Sequence, residues 1–252
     1  MSLPMHVNAV NIRRFVSPAS AARRLARHVA RCLSANPRLV LGLPTGRTPI
    51  PLYAELVALC EAGAADFRKA TTFNLDEFVG VSPQDPRSYR AFMHRHLFDH
   101  INLPARRIHF LNGEAEDAAL ECARYERQIA AAGGLDLLLL GLGANGHIGF
   151  NEPGRSLIAA THRTRLTATT RRANAALFNN RLPDVPRGAL SMGMATILHA
   201  RRIVLLATGA AKAATVRRLA RGPITPSLPA SFLQLHRSVE VWVDDAAAAE
   251  LD

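Results

Sequence analysis

Short runs of consecutive apolar residues alternate along the chain with longer stretches in which apolar positions recur every three or four residues. The runs predict strands at Arg38–Leu43, Ala70–Asn74, Arg107–Leu111, Leu135–Leu140, Gly188–Met192, Arg202–Thr208 and Val239–Val243. Within them, LDLLLL and RIVLLAT are apolar at successive positions, as strands covered on both faces must be. The helical spacing predicts helices at Ala21–Leu33, Pro49–Glu61, Ser88–His100, Asp117–Ala131 and Ala210–Arg221. This alternation implies an α/β fold of three layers, αβα, around a mainly parallel sheet of about seven strands. No repeat, low-complexity tract or long linker interrupts it, so residues 1–252 read as one domain.

Composition adds little to that picture but removes several classes. With 48% hydrophobic and 20% charged residues the chain is a globular one. No apolar run reaches the roughly 18 residues that cross a bilayer, so no membrane partner is expected. The N-terminus, MSLPMHVNAVNIRRF, lacks the basic-then-apolar order of a signal peptide. Cys32, Cys60 and Cys122 have no metal or redox spacing and read as reduced thiols, so the expected compartment is cytoplasmic. The net charge of +11 is spread over arginines along the whole chain, without aromatic interleaving, which argues against nucleic acid and leaves a field that attracts anions.

In a parallel α/β sheet, ligands bind beyond the carboxyl ends of the strands, so the residues that follow each strand carry the candidate chemistry. LPTGRTP follows the first. Thr48 is placed there as an N-cap with Pro49 as first helical residue, and Gly46 permits a tight turn whose free N–H groups suit a phosphate. FNLDEFVG follows the second. It takes Asp76 and Glu77 into an irregular loop, where their side chains point to opposite sides and one at most faces the pocket. A carboxylate there suits a base for a carbon-bound proton.

GLGANGHIGFNEP, Gly141 to Pro153, follows LDLLLL. Gly141, Gly143 and Gly146 match the dinucleotide pattern G-x-G-x-x-G, but FNEPG interrupts the helix that should follow. No acidic residue lies about 20 positions on to hold a ribose, so no nicotinamide cofactor is expected. The loop offers instead Asn145, His147 and Glu152, a histidine with a carboxylate that can orient it and an amide that can hold a substrate hydroxyl. After RIVLLAT, Lys212 stands in the first turn of a helix, unfavourably for the dipole unless an anion binds there. His96 and His100 have zinc-helix spacing without the Glu of H-E-x-x-H or a third ligand, and Ser191 forms no G-x-S-x-G.

At these residues the chain resembles the glucosamine-6-phosphate deaminase family, the amino-sugar branch of a superfamily shared with 6-phosphogluconolactonase. The blocks that carry the resemblance are GLPTGRTP, TFNLDEFVG, SYRAFMHRHLFDHINLP, GLGANGHIGFNEPG, TRRAN and LPASFLQLH, between about Leu41 and Asp244. The resemblance implies a Rossmann-like sheet and, through ring opening and an enolamine, conversion of glucosamine 6-phosphate to fructose 6-phosphate and ammonia. It also implies the hydrolase class beside the isomerase one. Asp76 would be the enolisation base and His147, with Asn145 and Glu152, the ring-opening group. Thr45, Gly46, Arg47 and Thr48, with Lys212 opposite, would hold the phosphate. Neither metal nor organic cofactor is implied, and the expected partners are the phosphorylated amino sugar and, at most, further copies of the chain.

One departure bears on substrate. The family's phosphate arginine follows the TRxAN block as N-x-R-F-F, whereas NAALF here puts Ala176 at its place. Arg171, Arg172 and Arg181 are the nearby replacements, and galactosamine 6-phosphate becomes an alternative substrate. The lactonase branch carries a GPDGH-type loop without FNEP. A sugar-phosphate sensor would carry a DNA-binding helix-turn-helix, whereas one clear helix precedes the first expected strand.

Overall fold

The consecutive apolar runs are central strands of a parallel sheet. The structure, a computed structural model, describes residues 10–251. Residues 1–9, which make up most of the N-terminal stretch considered above, lie outside the described residues. In chain order the strands are β1 (Asn11–Phe15), β2 (Val40–Leu43), β3 (Thr71–Asn74), β4 (Asp76–Phe78), β5 (Ile108–His109), β6 (Leu137–Gly141), β7 (His162–Arg165), β8 (Gly188–Ser191), β9 (Ile203–Ala207) and β10 (Val239–Asp244). The main sheet has the order β1-β10-β9-β6-β2-β3-β5.

Period-two alternation explains why its central strands must be apolar throughout. In β6, Leu137 and Leu139 enter one core while Leu138 and Leu140 enter the other. In β9, Val204 and Leu206 join the first set, and Ile203, Leu205 and Ala207 the second. Helices α1 (Pro18–Ala35) and α2 (Ile50–Glu61) cover the first face, with α3 (Tyr89–His96) beside them. Helices α4 (Ala118–Ala131), α6 (Met194–Leu198) and α7 (Ala213–Arg221) cover the second, and α5 (Ala168–Asn174) follows β7. Among the described residues no helix is long and apolar enough to cross a membrane.

Three expectations change. Gly188–Met192 does not join the main sheet. As β8 it lies between β4 and β7 in an antiparallel three-stranded sheet. The seventh place in the main sheet belongs to β1, whose NIRRF sequence has no apolar run because an edge strand keeps Arg13 and Arg14 in solvent. Asp76 and Glu77 therefore sit in a strand, not in the irregular loop expected of them. The helix predicted at Ser88–His100 also divides: α3 ends at His96, and Leu97 with φ −144° breaks the turn before a short 3₁₀ segment. His96 and His100 are thus not on one helix, and His100 Nε2 meets the Arg95 carbonyl at 3.0 Å.

Candidate active site

The loop that leaves β6 folds back so that the imidazole of His147 lies over Gly143. A methyl group on Gly143 would stand 2.5 Å from ring atoms Cδ2, Cε1 and Nε2, so that glycine is there to admit the ring. Gly146 has φ +91° and backs onto Leu228, while Gly141 has open space around it. The glycine spacing that mimics a dinucleotide fingerprint therefore serves the fold of this loop.

Around the imidazole, Asn145 Nδ2 donates to Glu152 Oε2 at 2.9 Å, and the His147 N–H donates to Asn145 Oδ1 at 3.2 Å. Glu152 Oε2 is 3.6 Å from His147 Nδ1, and the Thr170 hydroxyl approaches the same nitrogen at 3.5 Å. The Thr167 hydroxyl donates to Glu152 Oε1 at 3.3 Å. Burial pushes the Glu152 carboxyl up. Hydrogen bonds from His147, Thr170 and Asn145, with the His147 charge, outweigh burial and bring it down to about 2. The carboxylate is thus held ionised behind the imidazole, while Nε2 faces the other way.

Thr167 and Thr170 carry no sequence signal of a site. Thr167 caps α5 by accepting from the Thr170 N–H at 3.2 Å. The TATT pattern is a visible capping signal, but nothing local says which loop the cap touches.

Asp76 and Glu77 point apart, as an extended backbone requires, and both are buried. Glu77 turns to the N-terminus of α3. Asp76 has no hydrogen-bond partner among the described residues, and a methyl group on Gly149 of the histidine loop would lie 3.6 Å from its Oδ2. Burial, reinforced by the charge of Glu77, pushes the Asp76 carboxyl up to about 8. Asp76 thus lies against the loop that bears the carboxylate–imidazole pair, and its carboxyl holds a proton up to about pH 8.

The turn after β2 differs in detail from expectation. Gly46 has φ +104°, as a tight turn demands, but α2 starts at Ile50 with Pro49 as its cap residue, and Thr48 caps nothing. Thr45 is half-buried in this turn. Lys212 ends a 3₁₀ turn just before α7 rather than lying within the helix. The Thr215 hydroxyl, three residues on, donates to the Ala144 carbonyl at 2.8 Å, which sets this turn against the histidine loop. Lys212 is half-buried, without an ion-pair or hydrogen-bond partner among the described residues, and burial lowers its ammonium.

Two of the three arginines near Ala176 are engaged elsewhere. Arg171 donates to the Leu182 and Val185 carbonyls at 2.7 and 3.0 Å, and Arg181 pairs with Asp184 at 3.3 Å. Thr170 and Asn174 mark the site-facing edge of α5, and Arg172 lies about 200° round the helix from Thr170. Arg47, in the turn itself, is exposed, and its side chain has no partner among the described residues.

Other candidates resolve as structure. Ser191 is fully buried, accepting the Phe150 N–H at 3.0 Å and donating to the Met192 carbonyl. Among the described residues no three His, Cys, Asp or Glu side chains gather as a metal site. A cavity of about 640 Å³ is lined in part by Glu77, Arg90, His109 and Arg124, and neither Asp76 nor His147 lines it.

The fold and this loop define a class of sugar-phosphate protein. Residues 16–242 match the family described as glucosamine-6-phosphate isomerases/6-phosphogluconolactonase, and the chain belongs to it. It is 49% identical over 246 residues to the glucosamine-6-phosphate deaminase of Rhodopirellula baltica, covering 98% of each chain. With the Porphyromonas gingivalis glucosamine-6-phosphate deaminase it shares 47% over 218 residues, 86% of this chain and 83% of the other. A solved structure described as a monomeric glucosamine-6-phosphate deaminase superposes with a TM-score of 0.92 at 41% identity, over 96% of this chain and all of that one. The relatives are deaminases and the family description names glucosamine-6-phosphate isomerases, which corrects the hydrolase class expected beside the isomerase one.

Proposed function

We propose that the chain converts glucosamine 6-phosphate to fructose 6-phosphate and ammonia. His147 takes the proton of the anomeric hydroxyl and returns one to the ring oxygen, with Glu152 and Asn145 holding the imidazole in its tautomer. Asp76 then removes the proton on C2 and delivers it to C1. The enolamine between these steps becomes an imine at C2, which loses ammonia to water. Arg47, Lys212 and the turn Thr45–Thr48 hold the phosphate. The observation that carries this reading is Asp76, a buried carboxyl without a hydrogen-bond partner among the described residues, against the loop that bears His147. A lactonase moves no carbon-bound proton and has no use for such a base.

Galactosamine 6-phosphate is the second reading, motivated by Ala176. Purified protein is expected to release ammonia from glucosamine 6-phosphate, and faster than from its galacto epimer. Release from neither sugar, with phosphate-dependent binding intact by calorimetry, overturns the deaminase reading. The free thiols Cys32, Cys60 and Cys122 support a reducing cytoplasmic setting. We read the chain as one catalytic domain whose partner is its substrate, since the relative described as monomeric lends no support to an oligomer.

A pH profile follows from the base. Asp76 acts ionised and holds its proton below about 8, so kcat is expected to fall about tenfold per unit beneath that value and to level above it. A profile flat from about pH 6 to 9 contradicts the assignment.

A further inference from the structure

Glu77 lies one residue from the proposed base and serves a different helix. Its Oε1 accepts the N–H groups of Phe78 at 2.9 Å and Tyr89 at 3.0 Å, and its Oε2 accepts that of Arg90 at 3.0 Å. Ser88 Oγ accepts the next N–H, that of Ala91, at 2.9 Å. The first N–H groups of a helix have no partner within it and form the positive end of its dipole, so a buried carboxylate delivered from another strand both satisfies and neutralises them.

What this seats is Tyr89. Its ring stacks on Phe150 of the histidine loop, with centroids 5.8 Å apart, and tilts against Phe78 at 4.5 Å. Its hydroxyl donates to Asn174 Oδ1 at 3.0 Å. Helix α3 thereby joins β4, the histidine loop and α5.

The groups that face Asp76 come from four elements. Tyr53 of α2, Tyr89 of α3 and Tyr125 of α4, all fully buried or nearly so, feel its charge, and Glu77 stands beside it on β4 with Arg90 facing Glu77. These are the chain's three tyrosines. Each hydroxyl is turned elsewhere: Tyr53 to the Pro44 carbonyl, Tyr89 to Asn174, and Tyr125 to the Asn74 carbonyl at 2.6 Å. None donates to Asp76.

We propose that Glu77 is the positioning residue of the proton transfer: it fixes α3 and Tyr89 against β4 and sets a second negative charge behind Asp76. This rests on reading Asp76 as the base. Glu77→Gln removes the charge while keeping an acceptor for α3. The expected result is an acid limb of the kcat profile displaced downward by about one pH unit, because a neighbouring like charge no longer favours the protonated Asp76. Ser88→Ala weakens the same helix terminus without changing charge, and should lower the thermal midpoint while leaving the limb in place. If Glu77→Gln does not fold, Glu77→Asp is read instead, with an unmoved limb and reduced kcat expected. An unmoved limb in Glu77→Gln, or a displaced one in Glu77→Asp, overturns the proposal provided Asp76→Asn is inactive. Turnover surviving in Asp76→Asn removes the base assignment itself.

Discussion

Replacing Asp76 by asparagine is expected to lower kcat by roughly 10³-fold while leaving KM within about threefold. Asparagine has nearly the shape of the carboxylate, and Asp76 makes no hydrogen bond among the described residues whose loss would disturb the site. The variant therefore removes the proton acceptor alone. Stability should move the other way. The folded-state carboxyl is raised to about 8 from the ordinary 3.8, so between those values the folded protein holds a proton that the unfolded chain does not. Its stability contribution is complete below the lower value and is lost as pH rises through the higher one. The amide of the variant has no such proton to lose, so its thermal midpoint should exceed that of the wild type increasingly toward pH 9. Thermal unfolding at about pH 5 and pH 9, beside steady-state ammonia release, checks both halves. Turnover near wild type, or a collapse of affinity with turnover retained, would show that another group carries the proton.

The second large effect is expected at Gly143, which touches no substrate. Gly143→Ala places a methyl group 2.5 Å from three atoms of the His147 ring, closer than any real contact. The ring has little room to yield, because Glu152 and Thr170 stand at its Nδ1 side. Displacing it by about 1 Å should cost on the order of 10²-fold in kcat. Gly141→Ala is the matched control, since its methyl group meets nothing within 4 Å and should leave activity near wild type. If both variants behave alike, the ring position seen here is not the one that acts.

These two sites differ in how far they were legible. His147, Asn145 and Glu152 lie within eight residues, and a glycine-rich turn after an apolar run brings such neighbours together whatever the rest of the chain does. The two carboxylates of β4 are also adjacent, and the extended backbone alone says that they diverge. Which of the two finds hydrogen-bond partners depends on α3, twelve residues on, whose first N–H groups claim Glu77 and leave the Asp76 carboxyl unpaired among the described residues. Thr170 likewise reads as an ordinary cap until α5 is set against the histidine loop.

The arginines behave in the same way. Sequence spacing offers Arg171, Arg172 and Arg181 equally near Ala176. Carbonyl partners engage Arg171, an acidic neighbour engages Arg181, and the angular position on α5 turns Arg172 away from Thr170.

Most of the sheet was written in local pattern. Strands such as β6 and β9 must be apolar at every position because both faces are covered, and the alternation with helices requires parallel crossovers. The exceptions are β1, β4 and β7, whose polar residues carry no periodic signal, and β8, whose apolar run says that it is buried without saying in which sheet. A run of side chains records burial, a property of the segment itself. Pairing, register and the partner of each buried carboxylate are properties of two segments at once, and only the folded chain brings those together. The glycine-rich loop and its histidine were therefore set by the sequence alone, while which carboxylate of β4 caps α3 was decided by tertiary structure.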